Sequence, residues 1–318
     1  MRYSRVLVTG GAGFIGSHLV ERLVRDGIET IVLDDLSVGK RENLPPGVTL
    51  IQGDVRDRQV VDEAVSGVQG VFHLAARVSI RASIAGFYDD AETNLMGTLN
   101  VLKACASRNV NKLVYASSMA VYADSPRPTP VPESYDTAPL SPYGVAKLAS
   151  EKYIRLVSAQ AGFKAVSLRY FNTYGPRQTF TPYVGVITIF AQRLLRGEAP
   201  IIFGDGQQCR DLVYVGDVAD ATYQAMMTEV TGEVINVGSG EGTTVNRIAA
   251  LLCARLNPSI QPVHVQEHAG EVRNSIADIR KARRLLGYEP KTWLEDRLDE
   301  IIAWNREHLA PGRPGGQA

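Results

Sequence analysis

The sequence predicts an α/β protein in which a doubly wound parallel sheet is followed by a smaller, interleaved second lobe. Three observations carry this. Apolar, β-branched runs alternate with amphipathic stretches through the first 170 or so residues. A glycine-rich turn joins the first such pair. From about Tyr174 the pattern changes, with Pro176, Pro182 and Pro200 breaking the chain.

Val6-Leu-Val-Thr9 reads as a buried strand, and Gly10-Gly-Ala-Gly13-Phe14-Ile15-Gly16 runs straight into a helical stretch, Ser17 to Arg25. Glycines permit the tight turn and let backbone N–H groups approach a pyrophosphate at the positive end of the following helix. The next strand, Thr30-Ile-Val-Leu33, ends in Asp34. That spacing suits an acidic side chain meeting the adenosine ribose hydroxyls. An aspartate there repels a 2′-phosphate, and no Arg follows before Arg41, so NAD is expected rather than NADP.

Further strands are expected at Thr49–Gln52, Val71–Leu74, Leu113–Ala116 and Val166–Arg169, with helices over Thr93–Ser107 and Tyr143–Gln160. Ser118 then falls just past a strand end, and Tyr143-Gly-Val-Ala-Lys147 lies on the helix after it, so the three side chains can converge where ligands bind such sheets. In the second lobe, a helix at Val186–Leu195, a turn at Gly204-Asp-Gly206 and a helix at Val218–Met227 precede Ile235–Gly238, a short strand expected to return to the sheet. The expected boundaries are 1–173 for the cofactor domain, with returning segments near 212–240, and 174–310 for the second lobe. A Pro- and Gly-rich tail, Pro311–Ala318, is expected to be disordered.

Tyr143 and Lys147 carry the chemistry. A phenol with a pKa of about 10 is a poor base near neutrality and must be lowered by roughly 3 units, worth about 4 kcal/mol. Residues four apart share a helix face, so the Lys147 ammonium is expected to stabilise the phenolate, and a nearby nicotinamide cation would add to it. Asn172, after the Arg169-Tyr-Phe run, and Arg210, after the Gly204–Gly206 turn, are candidates for phosphate contacts; a turn residue and a solvated surface group are the plainer readings.

Composition excludes several classes. The 318 residues are 45% hydrophobic, and 34 Lys and Arg balance 34 Asp and Glu, so nothing in the charge favours nucleic acid or a membrane surface. The three cysteines, Cys105, Cys209 and Cys253, fit neither a disulfide framework nor a metal-ligand spacing, and no metal is expected. No apolar run approaches about 18 residues and the first core strand begins almost at the N-terminus, so the expected location is the cytoplasm.

With these residues in view, the chain resembles the extended short-chain dehydrogenase/reductases, and within them the NAD-dependent nucleotide-sugar epimerase/dehydratase family, UDP-hexose 4-epimerases in particular. The likeness runs from Thr9–Gly16 through Gly53-Asp-Val55, His73-Leu-Ala-Ala76, Ser117-Ser118, Tyr143–Lys147, Arg169–Asn172 and Arg210-Asp211 to Ala277-Asp278. The resemblance implies a Rossmann domain holding NAD tightly. It places the cofactor against Gly10, Gly13, Phe14, Ile15, Gly16, Asp34, Asp35, Ser37, Gly39, Thr93, Tyr143, Lys147 and Tyr170, with Asp54 and Val55 near the adenine and Leu74, Ala75 and Ala76 along the dinucleotide. It implies a UDP-sugar held by Ser79, Ser118, Tyr143, Asn172, Gly185, Val186, Ile201, Phe203, Arg210, Glu271 and Ser275. Ser118, Tyr143 and Lys147 would be catalytic, and two copies would pair through Thr93–Ser107 and Tyr143–Gln160.

Three departures narrow or question the implied reaction. Dehydratases and decarboxylases of this family generally carry an acidic residue just after the catalytic hydroxyl, where this chain has Met119-Ala120. His268 stands where much of the family has an Arg contacting the diphosphate, leaving Arg210 or Arg273 to serve, or an affinity that strengthens at lower pH. Ser275 stands where enzymes limited to unsubstituted hexoses have a bulky aromatic, which favours UDP-GlcNAc/UDP-GalNAc, with UDP-Glc/UDP-Gal also open. UDP-glucuronate epimerisation, a dehydratase or decarboxylase, and a non-catalytic NAD-binding scaffold are the alternatives.

Overall fold

A computed structural model describes residues 3–179, 185–266 and 272–308. The first 170 residues supply six strands: β1 (Arg5–Thr9), β2 (Glu29–Asp34), β3 (Thr49–Gln52), β4 (Gly70–His73), β5 (Lys112–Ser118) and β6 (Lys164–Tyr170). Helices alternate with them: α1 (Phe14–Arg25), α2 (Arg58–Val65), α3 (Ile80–Ala85), α4 (Phe87–Ala91), α5 (Gly97–Ser107) and α6 (Pro142–Ala161). Beyond them come β7 (Asn172–Tyr174), α7 (Val186–Leu195), β8 (Ile201–Phe203), β9 (Cys209–Tyr214), α8 (Val215–Met227), β10 (Glu233–Val237), β11 (Gly242–Thr244), α9 (Val245–Leu256), β12 (Val263–Val265), β13 (Asn274–Ser275), α10 (Arg280–Leu286) and α11 (Leu294–Glu307).

Strands β10, β6, β5, β4, β1, β2 and β3 lie side by side in that order, all parallel. Chain order reverses between β1 and β4, and in sheets of this kind the crevice outside the carboxyl ends of the strands at such a reversal is where ligands bind. Thr9 pairs with His73 at that point, and Ser118 pairs with Tyr170 at the matching end of β5 and β6.

Near-continuous apolar strands follow from burial on both faces. On one face Leu19, Val20 and Leu23 of α1 and Ala221, Ala225 and Met226 of α8 share a core with Val6, Val8 and Val32. On the other, Val61 and Val65 of α2, Val101, Leu102 and Cys105 of α5 and Ile154 of α6 pack with Leu7, Leu33 and Val71. A third core binds α7, α9 and α11 through Ile187, Phe190, Ile248, Leu252, Leu298 and Ile301. The remaining strands form small sheets: β9 between β11 and β13 with β7 also beside it, and β12 with β8.

Three boundaries differ from the sequence reading. The expected helix over Thr93–Ser107 opens with a π turn, Glu92–Met96, before α5 begins. The wider turn leaves the Asn94 carbonyl to accept from the Thr98 hydroxyl at 2.7 Å and the Ser150 hydroxyl at 3.1 Å. Arg210, expected after the Gly204–Gly206 turn, lies inside the strand β9, and α8 begins at Val215, three residues earlier than expected. The segment 311–318 lies outside the described residues.

Candidate active site

The glycine turn is shaped by contacts that exclude side chains. A Cβ on Gly16 would lie 2.1 Å from the Gly10 carbonyl oxygen, and one on Gly10, whose φ is +70°, would lie 2.7 Å from the Ala75 nitrogen. So α1 starts hard against the end of β1, with Gly13 as its extended N-cap residue and Phe14 and Ile15 in its first turn. No side chain caps this helix end, which leaves backbone donors for an anion. Thr9 anchors the opposite wall: its hydroxyl accepts from the Ala75 N–H at 3.2 Å, fixing the path of Leu74–Ala76 beyond β4.

Asp34 ends β2 and is buried. Its carboxylate accepts from the Ala12 N–H and the Leu36 N–H, each at 2.9 Å, and burial pushes its pKa up against those bonds. Gly39 packs so closely that a Cβ there would meet an Asp34 carboxylate oxygen at 2.8 Å. Asp35 turns the chain by accepting from the Ser37 N–H at 2.9 Å and hydroxyl at 2.7 Å. Asp54 pairs with Arg56, which holds its pKa below the usual carboxylate range, and buried Val55 sits where a Cβ on Gly97 would meet its side chain at 2.7 Å. Thr93 is half-buried in the π turn. A bare-backbone cradle with an acidic residue at the end of β2 fits NAD, since a dinucleotide pyrophosphate needs backbone donors and close approach. Tyr170 ends β6 with its hydroxyl 2.7 Å from Thr222 on α8.

Ser118, Tyr143 and Lys147 come together at the carboxyl end of β5. Helix α6 opens with Ser141 as N-cap, accepting from the Gly144 N–H at 3.1 Å, and Pro142 in the first turn, where a missing N–H costs nothing. Gly144 has no room for a side chain, since a Cβ would lie 2.2 Å from the Ala120 carbonyl oxygen. That approach lays the helix against the Met119–Val121 turn and brings the Tyr143 phenol close to the Ser118 side chain. Ser118 also accepts from the Ala120 N–H at 3.2 Å. Lys147 donates to the Ala116 carbonyl at 2.8 Å, and its ammonium lies 4.8 Å from the centre of the Tyr115 ring and 5.7 Å from that of Tyr143.

The expected acidification of the phenol is not what the protein groups alone produce. Burial pushes Tyr143 up to about 12, opposed by the nearby Ser118 side chain and reinforced by the charge of Asp90. Burial likewise pulls Lys147 down to about 8, against the charges of Asp90 and Glu151. Burial is the largest influence on both groups, and the Lys147 ammonium is hydrogen-bonded to the Ala116 carbonyl.

On the facing lobe, Asn172 opens β7 and donates to the Ser275 hydroxyl at 2.9 Å; Ser275, in β13, is buried beneath it. Arg210 pairs in register with Ser275 and donates to the carbonyls of Cys209 and Arg273. Arg273 is engaged with both Asp205 carboxylate oxygens, at 2.9 and 2.7 Å. Gly185, at φ +49°, precedes Val186 at the head of α7, and Ile201 and Phe203 bracket β8. Ser79 caps α3 through the Ala82 N–H at 3.1 Å. His268 and Glu271 lie outside the described residues.

Sequence reasoning missed the supports. Ser83 accepts from the Tyr143 N–H at 3.2 Å, fixing the start of α6. Glu151, four residues past Lys147, forms a buried ion pair with Arg169 at 2.7 Å and accepts from the Ser117 hydroxyl at 2.5 Å. The 143, 147, 151 spacing was the available signal, one helix face carrying a phenol, an ammonium and a carboxylate. Among the described residues no cluster of His, Cys, Asp and Glu could hold a metal ion, and no helix is long and apolar enough to cross a membrane.

Residues 6–238 match the NAD dependent epimerase/dehydratase family. A UDP-glucose 4-epimerase from Thermotoga maritima, solved with UDP-glucose, is 40% identical, with 96% of this chain and 100% of that one covered and a TM-score of 0.91. A UDP-glucose 4-epimerase from Thermus thermophilus, solved with NAD, is 38% identical over 95% of this chain and 99% of its own, at a TM-score of 0.87. A UDP-N-acetylglucosamine 4-epimerase from Methanobrevibacter ruminantium, in complex with UDP-N-acetylmuramic acid, is 35% identical over 97% and 100%, at 0.91. The cradle, the reversal of strand order and the Ser-Tyr-Lys seam thus sit in a chain that belongs to the NAD-dependent epimerase/dehydratase family, among its UDP-sugar epimerases.

Proposed function

We propose that the protein inverts C4 of UDP-sugars through a transient 4-keto sugar, with UDP-GlcNAc/UDP-GalNAc the favoured pair and UDP-Glc/UDP-Gal also accepted. The observation that carries this is the approach of Ser118 to the Tyr143 phenol at the carboxyl end of β5, with the Lys147 ammonium 5.7 Å from the centre of the phenol ring. NAD, when bound, supplies a reversible hydride acceptor and a positive charge that adds to Lys147 in favouring the phenolate. Tyr143 takes the proton of the sugar 4-hydroxyl, relayed by Ser118, as the C4–H bond gives up hydride and C4=O forms. After the keto sugar turns over, hydride returns to its other face and Tyr143 returns the proton to the new 4-hydroxyl. Atoms and electrons balance with no net oxidation.

Elimination or decarboxylation is disfavoured because Met119 and Ala120, in the turn after Ser118, offer no acid or base. The preference for an N-acetyl sugar rests on Ser275, whose small side chain lies under Asn172 where a bulky aromatic would reduce the space for a C2 substituent. Incubating the purified protein separately with UDP-GlcNAc, UDP-Glc and UDP-GlcA and following C4 configuration by proton NMR tests the reading. Inversion, fastest with UDP-GlcNAc, is expected; a 4-keto-6-deoxy or pentose product would overturn the epimerase assignment.

Two copies are proposed to pair through the helices beside this site. Met96, Val145, Tyr153 and Leu156 are exposed on the π turn and α6, and Ile84, Phe87 and Tyr88 extend the apolar face over α3 and α4. Sedimentation velocity should give twice the chain mass of 34.6 kDa; a single-chain mass at micromolar concentration would refute the pairing.

A further inference from the structure

Asp90 is a buried carboxylate on α4 with one oxygen satisfied and one not. It is 2% exposed, and one oxygen accepts from the Asn94 amide at 2.9 Å. The other, Oδ2, is buried with no hydrogen-bond partner among the described residues. Such a group is costly to keep in a protein interior and calls for a reason.

The surroundings hold it there. Asn94 grips the Arg77 backbone, accepting from its N–H and donating to its carbonyl, both at 2.9 Å. Its own carbonyl takes the Ser150 hydroxyl of α6, which ties the π turn to the helix that carries Tyr143 and Lys147. The same carbonyl takes the Thr98 hydroxyl proton, so Thr98 must accept from His73 Nε2 at 3.0 Å, and the Nδ1 of a neutral His73 accepts from the Thr9 hydroxyl at 2.7 Å. One directional chain therefore runs from the glycine-turn end of β1 to the main-chain carbonyl of Asn94, the residue whose side-chain amide holds Asp90. Charged and titratable groups facing the seam are Lys147, Tyr143 and Glu151 on α6, Tyr115 on β5, His73 on β4 and Arg77 before α3. His73 is neutral, pulled down to about 3 by burial and then by Lys147, and Glu151 is committed to Arg169.

We propose that Asp90 is a positioning residue of the reaction, its half-partnered carboxylate setting the charge balance between Lys147 and Tyr143 from beneath α6. This rests on the role assigned above to Tyr143 and Lys147. A negative charge favours the protonated form of both neighbours. It keeps the buried ammonium charged, and by raising the phenol it makes the phenolate a stronger base towards the sugar 4-hydroxyl. Removing the charge must move both titrations the same way, towards lower pH.

Asp90→Asn removes the charge while its amide carbonyl can keep the Asn94 hydrogen bond, and Asp90→Ala removes the charge should that variant misfold. Asp89→Asn, on the same helix but exposed beside Arg77, is the control. Two readouts apply: the pH profile of epimerisation, and the titration of Tyr143 followed by NMR in protein labelled at tyrosine, its signal assigned by its loss in Tyr143→Phe. Both limbs of the profile and the Tyr143 titration should fall by about one pH unit in the Asp90 variants, with no shift for Asp89→Asn. A lower rate at an unmoved profile and an unmoved Tyr143 would mean that Asp90 is only structural, and would overturn the proposal. The NMR arm separates this failure from that of the epimerase reading, since it needs no turnover.

Discussion

The two walls of the site are built on different principles. On the cofactor side the shape is steric and backbone-made: Gly10 and Gly16 leave no room for a Cβ, Gly144 brings α6 against the Ala120 carbonyl, and Asp34 is held by two backbone N–H groups. On the substrate side the polar side chains hold one another, Asn172 to Ser275, Arg273 to Asp205, and Arg210 to the Arg273 carbonyl. A wall of close backbone contacts stays in place when a ligand arrives. A wall of mutually paired side chains must trade those bonds for ligand bonds, so its contribution to binding is a difference between two sets of hydrogen bonds.

The comparison is broken most directly at the seam between the walls. Tyr143→Phe keeps the packing of α6 and removes only the proposed proton acceptor, so kcat should fall by about 10²–10⁴-fold while bound NAD stays at its wild-type level. Turnover near the wild-type rate would remove Tyr143 from the reaction, and loss of NAD would show that the cofactor wall depends on that hydroxyl. A smaller effect sharpens the other side. Asn172→Ala frees Ser275 and removes one donor, and should raise KM for the UDP-sugar by about tenfold with kcat little changed. An equal loss in kcat would place Asn172 in contact with the reacting sugar rather than in the binding wall.

Much of the cofactor wall was legible in the sequence because its determinants are local. Strand, glycine turn and helix follow one another within about 20 residues, and Ser141, Pro142 and Gly162 mark the ends of α6 by their own backbone preferences. Tyr143 and Lys147 share a face by helix geometry alone. The substrate wall was less legible because its pairs join residues far apart in the chain. Nothing local in Asn172 announces a bond to a serine 103 positions away, and nothing in Arg273 announces Asp205. The π turn was hidden in part for the same reason, since Ser150 from another helix bonds to its Asn94 carbonyl.

By itself, the sequence determined the class of fold, the glycine turn, the acidic residue after the second strand and the candidate base with its lysine, because each is written in residues that are neighbours along the chain or one helical turn apart. Only the tertiary structure decided the protonation balance of that base. Burial raises Tyr143 and lowers Lys147, and Asp90, brought in on α4, acts on both. A pKa depends on the charges and the solvent that three dimensions bring to a group, and spacing in one dimension carries neither.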